Sequence, residues 1–190
     1  MAIEQLRTVA DYDAYVEGLP SDSPKVELIN GRIVMAARPV VAHARYLRDI
    51  MRIVDAYVKK HHLAGEVFPE IEIVLDEHTI LIPDILYTAK NSPLGRLTKE
   101  RLNGAPEWAC EILSPGTQAS DEQDKYLAYL KAGVREYWLV DPDAPAGKRF
   151  RLFERVEEGP TSGMPAFQRI EGSPSASKPF PSITIDSKLL

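Results

Sequence analysis

The chain has 190 residues, of which 44% are apolar and 27% charged, with a formal net charge of −5. That is the length of one globular domain with enough apolar mass for a core, and it excludes a disordered chain. The acidic balance also argues against a generic electrostatic DNA binder, which would be basic. No run approaches the ~18 apolar residues of a membrane span, and the first ten residues lack the apolar stretch of a secretory signal. One cysteine, Cys110, excludes an intrachain disulfide framework and a thiolate zinc cluster, so a reducing cytoplasm is the expected location.

Thr8 and Asp11 form a capping-box pair that predicts a short helix ending at Gly18. A Pro/Ser/Asp loop follows over 19–25. Two apolar runs, 26–29 and 32–36, flank Asn30-Gly31, the preferred two-residue turn of a β-hairpin. From 41 to 62 the residues Leu47, Ile50, Met51, Val54 and Val58 recur at three- and four-residue steps, which predicts one long amphipathic helix. Runs 66–75 and 79–87 read as strands joined tightly at Asp76-Glu77-His78, hence antiparallel. The polar stretch 90–104 has room for a short helix. A strand is expected over 106–113, and a helix over 120–132, with Ser120 and Gln123 as a capping box and Gly133 as its stop. A short strand over 135–140, a hairpin from 149–156 and 166–171, and a tail lying over the sheet complete the reading. The order predicts one mixed α/β sheet with helices packed on it.

Two carboxylates stand out. Asp84 lies within Ile80-Leu81-Ile82-Pro83-Asp84-Ile85-Leu86-Tyr87, and Glu111 within Trp108-Ala109-Cys110-Glu111-Ile112-Leu113. Strand alternation gives Asp84 the face of Ile82 and Leu86, and Glu111 the face of Ala109 and Leu113. A carboxylate on an apolar face is costly unless it is paired or bound to a metal. On neighbouring strands the two would converge on a hard cation such as Mg²⁺. Asp121 and Lys125 share a helix face four residues apart; alone they make an ion pair, but close to Glu111 the lysine could orient water or stabilise charge. Glu27, in an apolar hairpin strand, and His43, opening the long helix, are further candidates. Cys110 is expected on the opposite face as a core residue rather than a nucleophile. No G-x-S-x-G, P-loop, G-x-G-x-x-G or H-E-x-x-H pattern is present.

The segments Val26-Glu27-Leu28-Ile29-Asn30-Gly31, Pro83-Asp84, Glu111-Ile112-Leu113-Ser114-Pro115-Gly116-Thr117, Asp121 to Lys125, and Gly133-Val134-Arg135-Glu136-Tyr137-Trp138-Leu139-Val140-Asp141-Pro142 resemble the restriction-endonuclease family called Uma-two, of the PD-(D/E)XK nuclease superfamily. The resemblance covers about 8–153. It implies a restriction-endonuclease-like mixed sheet flanked by helices, here with an added N-terminal helix and hairpin and a C-terminal hairpin and tail over 149–190, all in one domain. It also implies a divalent-metal site for phosphodiester hydrolysis. Asp84 matches the Asp of the Pro-Asp motif, Glu111 the acid of the third strand, Lys125 the helix lysine, and Glu27 an acid of the early hairpin. The superfamily's lysine two residues after the strand acid is Leu113 here, a departure from the pattern.

Two functional expectations follow. One is a Mg²⁺- or Mn²⁺-dependent endonuclease acting on nucleic acid, with DNA preferred. Asp84, Glu111 and the backbone carbonyl of Ile112 would hold the metal, and Lys125 would position water. The other, motivated by Leu113, is a catalytically degenerate nuclease-fold protein that binds DNA or a protein. Lys90, Arg96, Lys99 and Arg101 are the expected nucleic-acid contacts, and the edge of the C-terminal hairpin a possible homodimer contact.

Overall fold

The computed structural model describes residues 6–35, 39–114, 120–159, 163–170, 174–186 and 188–190, with the side chains of 120–122 left out. In chain order the elements are α1 (Val9–Glu17), β1 (Val26–Ile29), β2 (Arg32–Met35), α2 (Val41–Lys60), β3 (Gly65–Pro69), β4 (Ile73–Asp76), β5 (Thr79–Leu81), β6 (Ile85–Ala89), β7 (Gly95–Leu97), β8 (Leu102–Gly104) and β9 (Trp108–Ile112). A π-helical stretch, Ser120–Lys125, runs into α3 (Tyr126–Ala132). Then come β10 (Glu136–Val140), β11 (Phe150–Val156), β12 (Ala166–Ile170) and a 3₁₀ turn, Pro174–Ala176.

The strands form two six-stranded mixed sheets rather than one. The first has the order β2-β1-β5-β4-β8-β7, the second β12-β11-β10-β9-β6-β3. Two backbone devices divide what the sequence presents as continuous runs. Glu70, at φ 47°, breaks 66–75 into β3 and β4. Ile82-Pro83-Asp84 separates β5 in the first sheet from β6 in the second, and all three residues are buried. Proline has no N–H to give to a ladder, so it suits the point where the chain leaves one sheet for another.

The short-range signals correspond closely to what forms. Thr8 and Asp11 make the reciprocal capping box of α1. Asn30 (φ 51°) and Gly31 (φ 76°) occupy the left-handed region between β1 and β2, as a two-residue hairpin turn requires. Gly133 stops α3 at φ 91°. In 90–104 a hairpin of β7 and β8 replaces the expected short helix. The Thr98 hydroxyl bonds the Arg101 carbonyl and closes the turn, while that stretch has too few apolar residues to make a helical stripe. The Ser120 side chain of the expected capping box is outside the described residues.

The second sheet carries a core on each face. Ile50, Val54 and Val58 of α2 cover Ile85, Tyr87, Trp108, Cys110, Ile112 and Trp138, and Phe180, Ile183, Ile185 and Leu189 of the C-terminal segment join them. Tyr129 and Val134 lie on the other face with Leu86, Ala109, Leu113, Tyr137 and Leu139. Cys110 and Glu111 therefore point to opposite faces, as alternation requires. Burial pushes the Cys110 thiol well above its ordinary pKa, with Asp84 and Glu111 adding to the shift, which leaves a protonated core residue and no nucleophile.

Candidate active site

The site lies where the chain crosses between the sheets. Glu27 comes from β1, Asp84 from the crossing, Glu111 from β9, Lys125 from the end of the π-helical stretch, and His43 from the first turn of α2. The antiparallel register pairs Ile85 with Cys110 and Leu86 with Ala109. Asp84, one residue before β6, reaches the Ile112 N–H of β9 with its carboxylate, next to Glu111.

All three carboxylates are buried, with Glu27, Asp84 and Glu111 exposed by 3%, 4% and 2%. Each is satisfied by specific donors. Glu27 Oε1 accepts the Ile82 N–H at 2.6 Å, where the β5 ladder ends, and lies 3.1 Å from Lys125 Nζ. Glu111 Oε2 is also 3.1 Å from Lys125 Nζ, and its Oε1 accepts the Tyr129 hydroxyl at 2.6 Å. Asp84 Oδ2 accepts the Ile112 N–H at 2.7 Å and meets His43 Nε2 at 3.1 Å, while Oδ1 lies 3.4 Å from Lys25 Nζ.

These contacts bear on the protonation of Asp84 and Tyr129. Burial alone would raise the Asp84 pKa. The His43 hydrogen bond and the Lys25 and Lys125 charges overcome it and hold the carboxyl below the usual carboxylate range. An ionised carboxylate can only accept, so His43 Nε2 carries the proton. Its Nδ1 is buried and has no hydrogen-bond partner among the described residues. Burial, reinforced by the Glu111 charge, drives the Tyr129 phenol well above its ordinary value, so it stays a donor.

The structure brings together Asp84, Glu111, Lys125, Glu27 and His43. The Asp121 side chain is outside the described residues. Two further members, Lys25 and Tyr129, were not singled out from the sequence. Tyr129 lies one helical turn after Lys125, and Lys25 lies two residues before Glu27 and so shares its face. Those spacings were the available signals. Of the basic residues in 90–101, Lys90, Arg96 and Lys99 are exposed. Lys90 and Arg96 line a groove of about 560 Å³ together with Gly65, Glu66, Thr88 and Asn91. Arg101 is engaged differently: its guanidinium makes two bonds to Asp13, at 2.7 and 3.0 Å, and lies 3.7 Å from Glu72.

Among the described residues no group of three or more His, Cys, Asp or Glu side chains is placed to hold a metal. The donor set nonetheless suits a hard divalent cation. Mg²⁺ keeps several waters and typically uses one or two protein carboxylates plus substrate phosphate. Asp84, bonded to the Ile112 N–H, and the adjacent Glu111 supply two hard-oxygen donors.

The two-sheet architecture and its buried acid cluster define a mixed α/β protein of nuclease-like fold. It is similar to the crystal structure of a "putative nuclease belonging to DUF820" from Anabaena variabilis ATCC 29413, with a TM-score of 0.57 and 24% identity over 77% of this chain and 85% of that one. At that identity the likeness speaks to the fold. The profile of the Uma2 family, described as "Putative restriction endonuclease", matches residues 10–186. The chain belongs to that family. No match was found among curated proteins. No helix among the described residues is long and apolar enough to cross a membrane.

Proposed function

We propose that this protein is a divalent-metal-dependent endonuclease that hydrolyses phosphodiester bonds in DNA, using Mg²⁺ or Mn²⁺. The observation that carries the reading is the Asp84 carboxylate bonded to the Ile112 N–H at 2.7 Å, beside Glu111, with the Lys125 ammonium 3.1 Å from Glu111. That is a pair of hard-oxygen donors with a neighbouring cation, and the chain belongs to a family described by restriction-endonuclease chemistry.

Asp84, Glu111 and the Ile112 carbonyl would hold the metal. When bound, the ion lowers the pKa of coordinated water and offsets charge on the scissile phosphate. The protein's own groups keep the donors in place. The Ile112 N–H and His43 fix one Asp84 oxygen and leave the other toward Lys25. Tyr129 and Lys125 divide the two Glu111 oxygens between them. Lys125 supplies from a helix the ammonium that the common motif places on the strand. Leu113, at that strand position, is buried in the α3-side core instead.

Lys90 and Arg96 would extend the contact along the nucleic acid. Their groove is at the far end of β6 from Asp84, about 17 Å along an extended strand, a distance one bound duplex spans. β12 ends the second sheet, and pairing of two copies along it would present two sites to two strands.

The test is cleavage of plasmid and oligonucleotide DNA in Mg²⁺ or Mn²⁺. Asp84→Asn and Glu111→Gln should each reduce the rate by about 100-fold or more while thermal melting shows a folded protein. Full activity in either variant overturns the assignment. DNA binding without cutting by the native protein would instead favour the degenerate, binding-only member of the fold.

A further inference from the structure

The site contains two lysines, and they differ in what they can reach. Lys125 is enclosed: its side chain is 5% exposed, and it lies between Glu27 and Glu111 at 3.1 Å from each. Lys25 stands at the rim, with its side chain 23% exposed. It precedes β1 by one residue, on the face that Glu27 presents to the site.

Lys25 is also loosely held. Its ammonium is 3.4 Å from Asp84 Oδ1 and 3.7 Å from Glu70 Oε1. Strong charge-assisted N–H···O bonds measure about 2.7–2.9 Å, so both contacts are long. Glu70 is itself half exposed, at 48%, and its pairing with Lys25 is screened by water. If Lys25 moved away, Asp84 would lose one of the charges that hold it ionised and would keep the Ile112 N–H and His43 on its other oxygen.

Among the described residues the site holds three buried carboxylates and two lysine ammonium groups. Of the two ammonium groups, the one at the rim meets an incoming phosphate first.

We propose that Lys25 contacts substrate directly, its ammonium turning from Asp84 to a non-bridging oxygen of the scissile phosphodiester. This rests on the nuclease reading above, and assigns Lys25 the substrate's charge and Lys125 the interior carboxylates. A lysine is suited to this because it acts as a compact point charge on a flexible stem.

The experiment compares native protein with Lys25→Gln and Lys25→Arg. Labelled single-stranded and duplex DNA and RNA oligonucleotides are the probes. Binding is measured in Ca²⁺ across a salt series, cleavage in Mg²⁺, and melting without nucleic acid. Lys25→Gln should weaken binding roughly 5- to 10-fold and reduce the salt slope by about one. It should lower kcat by about 100-fold with little change in melting, and Lys25→Arg should recover most of both losses. Native affinity and salt slope in Lys25→Gln overturn the proposal. So does a loss that merely follows a fall in melting temperature and is not recovered by Arg. Native protein that binds but does not cut, with Lys25→Gln still weakened, overturns the nuclease reading and leaves Lys25 as a phosphate contact. Native protein that neither binds nor cuts overturns both.

Discussion

Lys125 Nζ lies 3.1 Å from Glu111 Oε2, although 14 residues separate them in the chain. The same ammonium is 3.1 Å from Glu27, so a single cation bridges one carboxylate from each sheet. Lys125→Met would leave two buried acids without it. Breaking a buried pair from one side costs about 3–5 kcal/mol, a large part of a typical domain's ~5–15 kcal/mol. Urea denaturation should show a loss of that order. A loss below about 1 kcal/mol, the range of exposed ion pairs, would show that water reaches Lys125 freely.

Tyr129→Phe removes one hydroxyl from the same carboxylate. A hydrogen bond to a charged group contributes about 1.5–3 kcal/mol, and the substitution leaves Glu111 Oε1 without the bond it accepts at 2.6 Å. Stability should fall within that range. Cleavage should slow through kcat more than KM, since Tyr129 orients Glu111 and is itself fully buried. Unchanged kcat with lowered stability would confine Tyr129 to the core.

Among the basic residues of 90–101, the substitutions should divide. Lys90→Gln and Arg96→Gln remove exposed charges at the groove. Each should weaken DNA binding and lower its salt slope by about one, with melting unchanged. Arg101→Gln breaks the two-bond contact with Asp13 and should lower melting while affecting binding least. Equal binding losses at all three positions would reject the distinction.

Glu136 provides a pH test away from the site. It is fully buried in β10, accepts the Trp138 indole N–H at 2.6 Å and the Lys178 N–H at 2.8 Å, and pairs in register with Glu154 of β11. Burial raises its pKa above the ordinary 4.5, against the pull of its hydrogen bonds and with a further push from Glu154. The fold therefore favours the protonated form. The stability this confers is fully present below about pH 4.5 and is lost as pH rises through the folded-state value. Melting temperatures of native protein and Glu136→Gln, followed from pH 4 to 7, should show the native protein losing ground to the variant. Parallel curves would contradict the raised value.

Two glycines with positive φ should respond differently to alanine. At Gly133 (φ 91°) a Cβ would meet nothing within 4 Å among the described residues, so only backbone strain of about 1–2 kcal/mol is expected. At Gly104 (φ 106°) a Cβ would run into the Leu94 carbonyl oxygen, whose chain is the other half of the β7–β8 hairpin. Gly104→Ala should cost more and lower binding through Arg96. Equal costs would show that the hairpin yields freely.

The local parts of the fold were legible in the sequence because local chemistry determines them. Asn30-Gly31, the Thr8/Asp11 box, Gly133 and the α2 stripe each depend on residues within a few positions. The division into two sheets was not legible. It depends on Pro83 and on Glu70 adopting positive φ, and an apolar run such as 79–87 reads the same whether it serves one sheet or two. In the site, Asp84, Glu111 and Glu27 stood out as charges among apolar neighbours. Lys25 and Tyr129 did not, because a lysine after a loop and a tyrosine in an amphipathic helix are ordinary. Their contacts arise only when distant elements meet.

The crossing at Ile82-Pro83-Asp84 has a mechanical consequence. Glu27 reaches it from one sheet through the Ile82 N–H, and Ile112 reaches it from the other through the Asp84 carboxylate. The site is thus the seam that joins the two halves of the molecule. A force or ligand that shifts one half against the other changes the geometry of the acids directly, with no relay through the core. Conversely, whatever occupies those acids also tightens the seam. Resistance to mechanical or thermal opening should therefore report on occupancy of the site, even where no bond is cut.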